Sequence, residues 1–278
     1  MTSNTDFYDE VRNSRNFSGK VVLVTGSGSG IGSAIVKLYS ALGANVVVTS
    51  RSADAVHKVA VDCQQLSPKK LKPLEVIADL TKSDELKQLL NKTIETFQRL
   101  DILVNNASGL PVTLVTDPKF MDNLKSTETL DINATLLLTQ LAIPYLEKTN
   151  GNIIMITANL TERPFRGYLS YIIGKSALEQ STKVLSIELG NKGIRVNSVS
   201  PGGIDSHPGT YDQTFLDILA KTAKRTPLAR VGQPHDIAAA VVFMSSSDAR
   251  FITGHSLVVD GGLQYNLDSD FLEDYELE

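Results

Sequence analysis

The chain is expected to fold as one α/β domain on a doubly wound parallel sheet of about seven strands. Three observations predict this. Apolar runs of strand length alternate with helix-length stretches along most of the sequence, and parallel neighbours require crossovers of that kind. The first crossover carries a glycine-rich turn, TGSGSGIG over Thr25–Gly32. No evident linker or internal repeat divides the 278 residues, a length that suits one large domain or two small ones.

The elements follow in order. KVVLVT (Lys20–Thr25) is an apolar run suited to a strand buried on both faces. An apolar-periodic helix from Ile31 to Leu42 stops at Gly43, and NVVVTSR (Asn45–Arg51) returns as the second strand. Ser52–Leu66 reads as a helix, and the basic loop Ser67–Pro73 leads to the strand LEVIA (Leu74–Ala78). Ser83–Arg99 is amphipathic, with Leu86, Leu89, Leu90, Ile94 and Phe97 on one face. DILVNN (Asp101–Asn106) is the fourth strand, a long helical region ends near Glu147, and GNIIMIT (Gly151–Thr157) is the fifth strand. Leu169–Leu189 is a helix, IRVNSVS (Ile194–Ser200) the sixth strand and HSLVVD (His255–Asp260) the seventh.

Composition excludes several classes of function. Hydrophobic residues make up 42% and charged residues 21% of the chain, ordinary values for a globular protein. The net charge of −4 gives no electrostatic case for nucleic-acid binding. The single cysteine, Cys63, rules out an internal disulfide framework and a thiolate zinc cluster, and its helical setting reads as a buried thiol. No apolar run approaches the roughly 18 residues of a membrane span, and residues 1–18 lack the apolar core of a signal peptide. A cytoplasmic protein is expected.

The glycine turn has a physical use. Small residues let the backbone approach a pyrophosphate, and a helix N-terminus offers free N–H donors and a partial positive charge. Its spacing is T-G-x-x-x-G-x-G, on Thr25, Gly26, Gly30 and Gly32, with Ile31 where G-x-G-x-x-G would place a glycine. This pattern resembles the classical short-chain dehydrogenase/reductase family. The resemblance implies a single Rossmann domain over residues 18–262, between a polar extension at 1–17 and an acidic tail at 263–278. It also places Gly28 and Ser29 on the dinucleotide. At the second strand end stands Arg51, where an NAD site would carry an acid on the ribose 2′-OH; a planar cation suits a 2′-phosphate, so NADP(H) is the expected cofactor. Asp79 and Leu80 match the family's positions beside the adenine, and Asn106-Ala107-Ser108 resembles its N-A-G with serine for glycine.

The chemistry is expected after the fifth strand. Tyr171-Ile-Ile-Gly-Lys175 is a Y-x-x-x-K whose i, i+4 spacing puts both side chains on one helical face. By resemblance, Tyr171 exchanges a proton with the carbonyl or alcohol oxygen. Lys175 would bond the ribose and, with the cofactor's charge, bring the phenol down from its ordinary value of about 10. Asn133, in LDINAT, matches the family asparagine that positions a water in the relay. One family residue is replaced. The serine that bonds the substrate oxygen, 13 residues before the tyrosine, is Ala158 here, which cannot donate. Asn159 and Thr161 could substitute only if the loop bends unusually.

Beyond the sixth strand, Pro201, Gly202 and the backbone of Ile204 match nicotinamide-side positions, as does Thr157 at the end of the fifth strand; Ser206 stands at the family's usual threonine. His207–Arg225 is expected to form a mobile substrate lid, with His207 a lid or substrate contact. The segments Phe251–Gly254 and Val259–Gly262 resemble the family's closing motif. The resemblance implies an NADP(H)-dependent carbonyl/alcohol oxidoreductase with a small-molecule substrate, assembled as a homodimer or homotetramer through its long helices. Ala158 leaves one alternative open, a weakly active or inactive relative that binds the dinucleotide and acts through partners.

Overall fold

The computed structural model describes residues 8–9, 11–207 and 209–266. Its centre is a sheet of seven parallel strands in the order β3-β2-β1-β4-β5-β6-β7. These are β1 (Val21–Val24), β2 (Asn45–Ser50), β3 (Leu74–Ile77), β4 (Ile102–Asn105), β5 (Asn152–Ile156), β6 (Arg195–Pro201) and β7 (Ser256–Val259). β1 pairs with β2 on one side and β4 on the other. The chain therefore reverses its direction of winding beside β1, and a crevice opens at the carboxyl ends of β1 and β4.

Alternation along each strand supplies the two faces. Val22 and Val24 belong to the core on one side, packed with α1 (Gly30–Ala41), α2 (Ala53–Leu66) and α8 (Pro234–Ser245). Val21 and Leu23 belong to the core on the other, with α3 (Ser83–Phe97), α5 (Thr135–Glu147) and α6 (Leu169–Gly190). Period-two side-chain direction makes this division automatic once both faces are covered. Cys63 lies in the first core, where burial pushes its thiol up to about 12; it is an inert packing residue.

Three features differ from the sequence expectation. The helical region before β5 is α4 (Phe120–Thr127), a π-helical segment (Glu128–Ala134) and α5. The interval expected to be a lid contains α7 (Gln213–Arg225), capped by the Asp212 side chain, which accepts from Phe215 N. Helix α8 was not anticipated, although Pro234 at its start and Asp236 three residues past Gln233 are a start signal; Gln233 N donates to Asp236 Oδ2 at 2.7 Å. The packing reaches one residue past each expected domain edge. Phe17 is buried against Tyr39, ring centroids 5.1 Å apart, and Leu263 is buried too. The rest of the expected acidic tail, 267–278, lies outside the described residues. Among the described residues no helix is long and apolar enough to cross a membrane.

The fully buried Leu103 sits on a central strand. Leu103→Ala should lower unfolding stability by about 2–5 kcal/mol, read as a fall in the denaturant midpoint with an unchanged slope.

Candidate active site

The crevice begins with the turn after β1. Gly32 is required by close packing, because a Cβ there would lie 2.5 Å from Asn106 Nδ2 and from Gly26 O. Asn106 braces that turn from β4: its Nδ2 donates to Thr25 O at 2.8 Å and to Gly26 O at 3.3 Å. Thr25 Oγ1 accepts from the backbone N–H of Asn106 at 2.9 Å and of Ala107 at 3.0 Å. The two strand ends are thus locked together, and α1 starts with its first N–H groups lacking an intrahelical partner. Gly28 packs elsewhere. A Cβ there would meet Ser50 Oγ at 2.5 Å, so this glycine seats the turn on β2.

A groove runs from this turn across the strand ends. Gly26, Ser29, Gly30 and Ile31 form its floor with Ala107, and Arg51, Asp79 and Leu80 form its far end. Arg51 is exposed and has no ion pair among the described residues. Asp79 accepts from Thr81 Oγ1 at 2.7 Å and Thr81 N at 3.1 Å, and these bonds hold its carboxyl below the usual range. A close-packed glycine turn at a helix N-terminus, opening on this groove, fits a dinucleotide pyrophosphate.

His207 belongs to this groove and not to the substrate side where it was expected. Its Nε2 lies 3.2 Å from Ser29 Oγ and its Nδ1 2.9 Å from Ser206 Oγ. It also lines the groove beside Gly30. Its backbone N–H donates to Tyr211 Oη at 2.6 Å, and the Tyr211 ring stacks on Phe215 at 4.4 Å. A continuous series of contacts therefore joins the glycine turn to α7.

Tyr171 and Lys175 lie one turn apart on α6, with Lys175 Nζ 5.4 Å from the Tyr171 ring centroid. Lys175 is buried and donates to Ile156 O at 3.0 Å, which holds it against the end of β5. Its ionic neighbour is Asp131, with Oδ2 3.6 Å away. Asp131 is buried as well; it accepts from Ser108 Oγ at 2.6 Å and from Gly109 N at 3.4 Å. The serine that replaces the family's glycine in Asn106-Ala107-Ser108 thus binds the acid.

Asn133 lies in the π-helical segment that follows α4. That side chain is exposed, and the place beside Lys175 belongs to Asp131, two residues earlier. The cause is the π-helical segment, in which each turn holds one residue more than an α-turn. Asp131 also changes the acid–base reading. Burial, reinforced by the Asp131 charge and by Tyr168, holds the Tyr171 phenol above its ordinary value. Burial lowers Lys175, and Asp131 opposes that shift. In the protein without its cofactor, burial and the Asp131 charge favour the protonated phenol, whereas the lowering expected of Tyr171 involves the cofactor's charge as well.

A second cavity, of about 270 Å³, opens on the other side of Tyr171. Ala158 lines it and is buried. Neither expected substitute offers the missing hydroxyl: Thr161 Oγ1 donates to Ala158 O at 2.9 Å, and Asn159 Nδ2 donates to Asp260 Oδ2 at 3.1 Å. Thr157 is similarly engaged, its Oγ1 donating to Val199 O at 3.3 Å. Pro201, Gly202, Ile204 and Ser206 form the wall nearest β6. Tyr171 lines both cavities, as do Ile31, Asn106 and Ser108. One phenol therefore stands where a dinucleotide groove and an apolar cavity meet.

A family model described as "Enoyl-(Acyl carrier protein) reductase" matches residues 26–264. The chain belongs to the classical short-chain dehydrogenase/reductase family. Within it, L-fucose dehydrogenase of Bos taurus is 33% identical over 258 residues, covering 89% of this chain and 90% of that protein. 7α-Hydroxysteroid dehydrogenase of Escherichia coli K12 is 34% identical over 249 residues, covering 88% and 94%. Among solved structures, a 7α-hydroxysteroid dehydrogenase complexed with NADH and 7-oxo glycochenodeoxycholic acid superposes with a TM-score of 0.84 at 33% identity. That match covers 90% of this chain and 96% of the other. A short-chain dehydrogenase/reductase of Caenorhabditis elegans, solved with cofactor, gives 0.83 at 31% identity, covering 92% and 98%. The two relatives are named as dehydrogenases, and the first of the solved structures holds NADH.

Gly32→Ala should abolish measurable dinucleotide binding in calorimetric titration. The added methyl must displace either the Asn106 amide or the Gly26 carbonyl, both part of the brace. Wild-type affinity in a folded Gly32→Ala protein would contradict this assignment of the turn.

Proposed function

We propose that this protein is an NADP(H)-dependent oxidoreductase that interconverts a ketone or aldehyde and the corresponding alcohol. The observation that carries the reading is the position of Tyr171 on the wall shared by the two cavities. A proton donor there reaches a carbonyl oxygen held on the cavity side while the reacting carbon faces the groove. The dinucleotide, when bound, supplies the hydride acceptor and donor. The protein's residues position and protonate. Tyr171, held as a neutral phenol, donates its proton to the carbonyl oxygen in the direction of reduction. Lys175, fixed by Ile156 O and faced by Asp131, keeps a cation near the phenolate left behind. Ser108 and Gly109 hold the Asp131 carboxylate in place.

Arg51 supports the choice of NADP(H), as an exposed cation at the end of β2 with no ion pair among the described residues. NADPH should bind more tightly than NADH, and Arg51→Asp should reverse or erase the preference. Calorimetry showing that the unmutated protein favours NADH would refute it.

Ala158 predicts slow turnover on generic ketones, because one preorganised donor to the substrate oxygen is worth on the order of 10²–10³ in rate, about 2.7–4 kcal/mol. Ala158→Ser should raise that rate with little change in NADPH affinity, and Tyr171→Phe in the same variant should abolish the gain. If both forms bind NADPH yet reduce nothing across a broad panel of carbonyls, the protein is a binding relative and the enzymatic reading falls.

Association into a dimer or tetramer belongs to the same proposal. Helix α6 leaves Leu169, Ile173, Val184 and Ile187 exposed, the last at 81%, an apolar series suited to a subunit contact. Light scattering should give a multiple of 30.1 kDa, and Ile187→Glu should shift the species toward monomer. A monomer at micromolar concentration before mutation would contradict this.

A further inference from the structure

We propose that the substrate is an uncharged, largely hydrocarbon ketone or secondary alcohol whose body completes the packing of α7. This rests on the oxidoreductase reading and adds the substrate class to it.

Helix α7 is amphipathic. Phe215, Ile218, Leu219 and Thr222, spaced i, i+3, i+4 and i+7, all face the cavity beside Tyr171. A helix in a protein of this size normally buries its apolar stripe against the core. Among the described residues of α7 no side chain is fully buried, and Ile218 is 46% exposed. The helix is nevertheless fixed in place by its ends. Asp212 caps its start, Thr226 is buried just past its last turn, and Asn266 Nδ2 donates to Arg225 O at 2.6 Å. Apart from the Tyr211 ring stacked on Phe215, its apolar face thus stands over an open cavity, and a ligand of matching chemistry would cover it.

The opposite wall has the same character, with Leu160, Phe165, Tyr168 and Leu263. Apart from the Tyr168 hydroxyl, most of the cavity's polar side chains are engaged. Arg163 Nη1 donates to Leu263 O at 2.5 Å and to Asn266 O at 2.6 Å, tying down the turn that closes the cavity. Asn159 is held by Asp260, and Lys175 by Ile156 and Asp131. No carboxylate among the described residues lines the space. A polyol needs a donor or acceptor for each buried hydroxyl, and each one left unpaired costs about 1–3 kcal/mol. A hydrocarbon body meets no such penalty and gains about 0.8 kcal/mol for each CH₂ removed from water. The one polar demand of a ketone, at its oxygen, is met by Tyr171.

The test uses the full chain loaded with NADPH. Decalone, a two-ring ketone, L-fucose with NADP⁺, and cyclohexanone as a small ketone that reports the chemistry alone are compared by steady-state kinetics. Decalone binding is read separately by hydrogen exchange over 213–225. Decalone should have a kcat/KM at least about tenfold above cyclohexanone, the worth of roughly two buried CH₂ groups, and should protect the amides of α7. Ile218→Asp should raise KM for decalone by roughly the same factor and remove the protection of α7. Preference for L-fucose, or no protection of α7 by decalone at saturation, overturns the substrate class while cyclohexanone turnover keeps the oxidoreductase reading intact. Protection of α7 with no turnover of any ketone has the opposite meaning: the apolar site stands and the enzymatic reading fails.

Discussion

The facing of two buried ionic groups, Asp131 and Lys175, is the constraint on which the site depends. An ammonium taken out of water carries a desolvation penalty of several kcal/mol, and a carboxylate the same, so neither is tolerated there alone. Each is held on more than one side: Lys175 by Ile156 O at the end of β5, Asp131 by Ser108 and Gly109 after β4. The pair therefore joins α6, the π-helical segment and the ends of two central strands. Tyr171, one turn from Lys175, takes its position from the same helix. Its acidity follows from the same neighbours, since burial and the Asp131 charge both favour the neutral phenol.

The fold was largely legible because its signals are repeated. Each apolar run of strand length between helix-length segments was one strand of the parallel sheet, and their ends were placed within a residue or two. The turn Thr25–Gly32 was legible for a different reason, since its glycines answer local demands such as the close approach at Gly32. Helix α7 was hidden because its apolar stripe is narrow and faces a cavity; the spacing of Phe215, Ile218, Leu219 and Thr222 was the signal available. The placing of Asp131, rather than Asn133, beside Lys175 was not legible in the sequence. A π-turn shifts the register of every residue near it, and nothing in ETLDINA announces it. His207 was read as a lid residue from its place in the chain. Only the folded loop brings it to Ser29.

Two departures from the family pattern lie on opposite sides of the phenol. Ala158 removes a donor on the cavity side, and Ser108 adds one on the Asp131 side. In the proposed reaction the first leaves the substrate oxygen dependent on Tyr171; the second gives the buried Asp131 carboxyl a hydroxyl donor. The contacts from Ser29 through His207 and Tyr211 to Phe215 give the dinucleotide groove a physical connection to the helix over the cavity.

The central claim is that Asp131 favours the charged form of Lys175 and the protonated form of Tyr171. It is tested most directly by the pH dependence of carbonyl reduction at saturating NADPH, in the wild type and in Asp131→Asn. Removing the carboxylate's charge lowers the phenol's affinity for its proton and lets burial strip Lys175 of its own at a lower pH. Both changes act in one direction. The account predicts that the alkaline fall in rate moves to lower pH in Asp131→Asn; superimposable profiles, or a shift to higher pH, would contradict it.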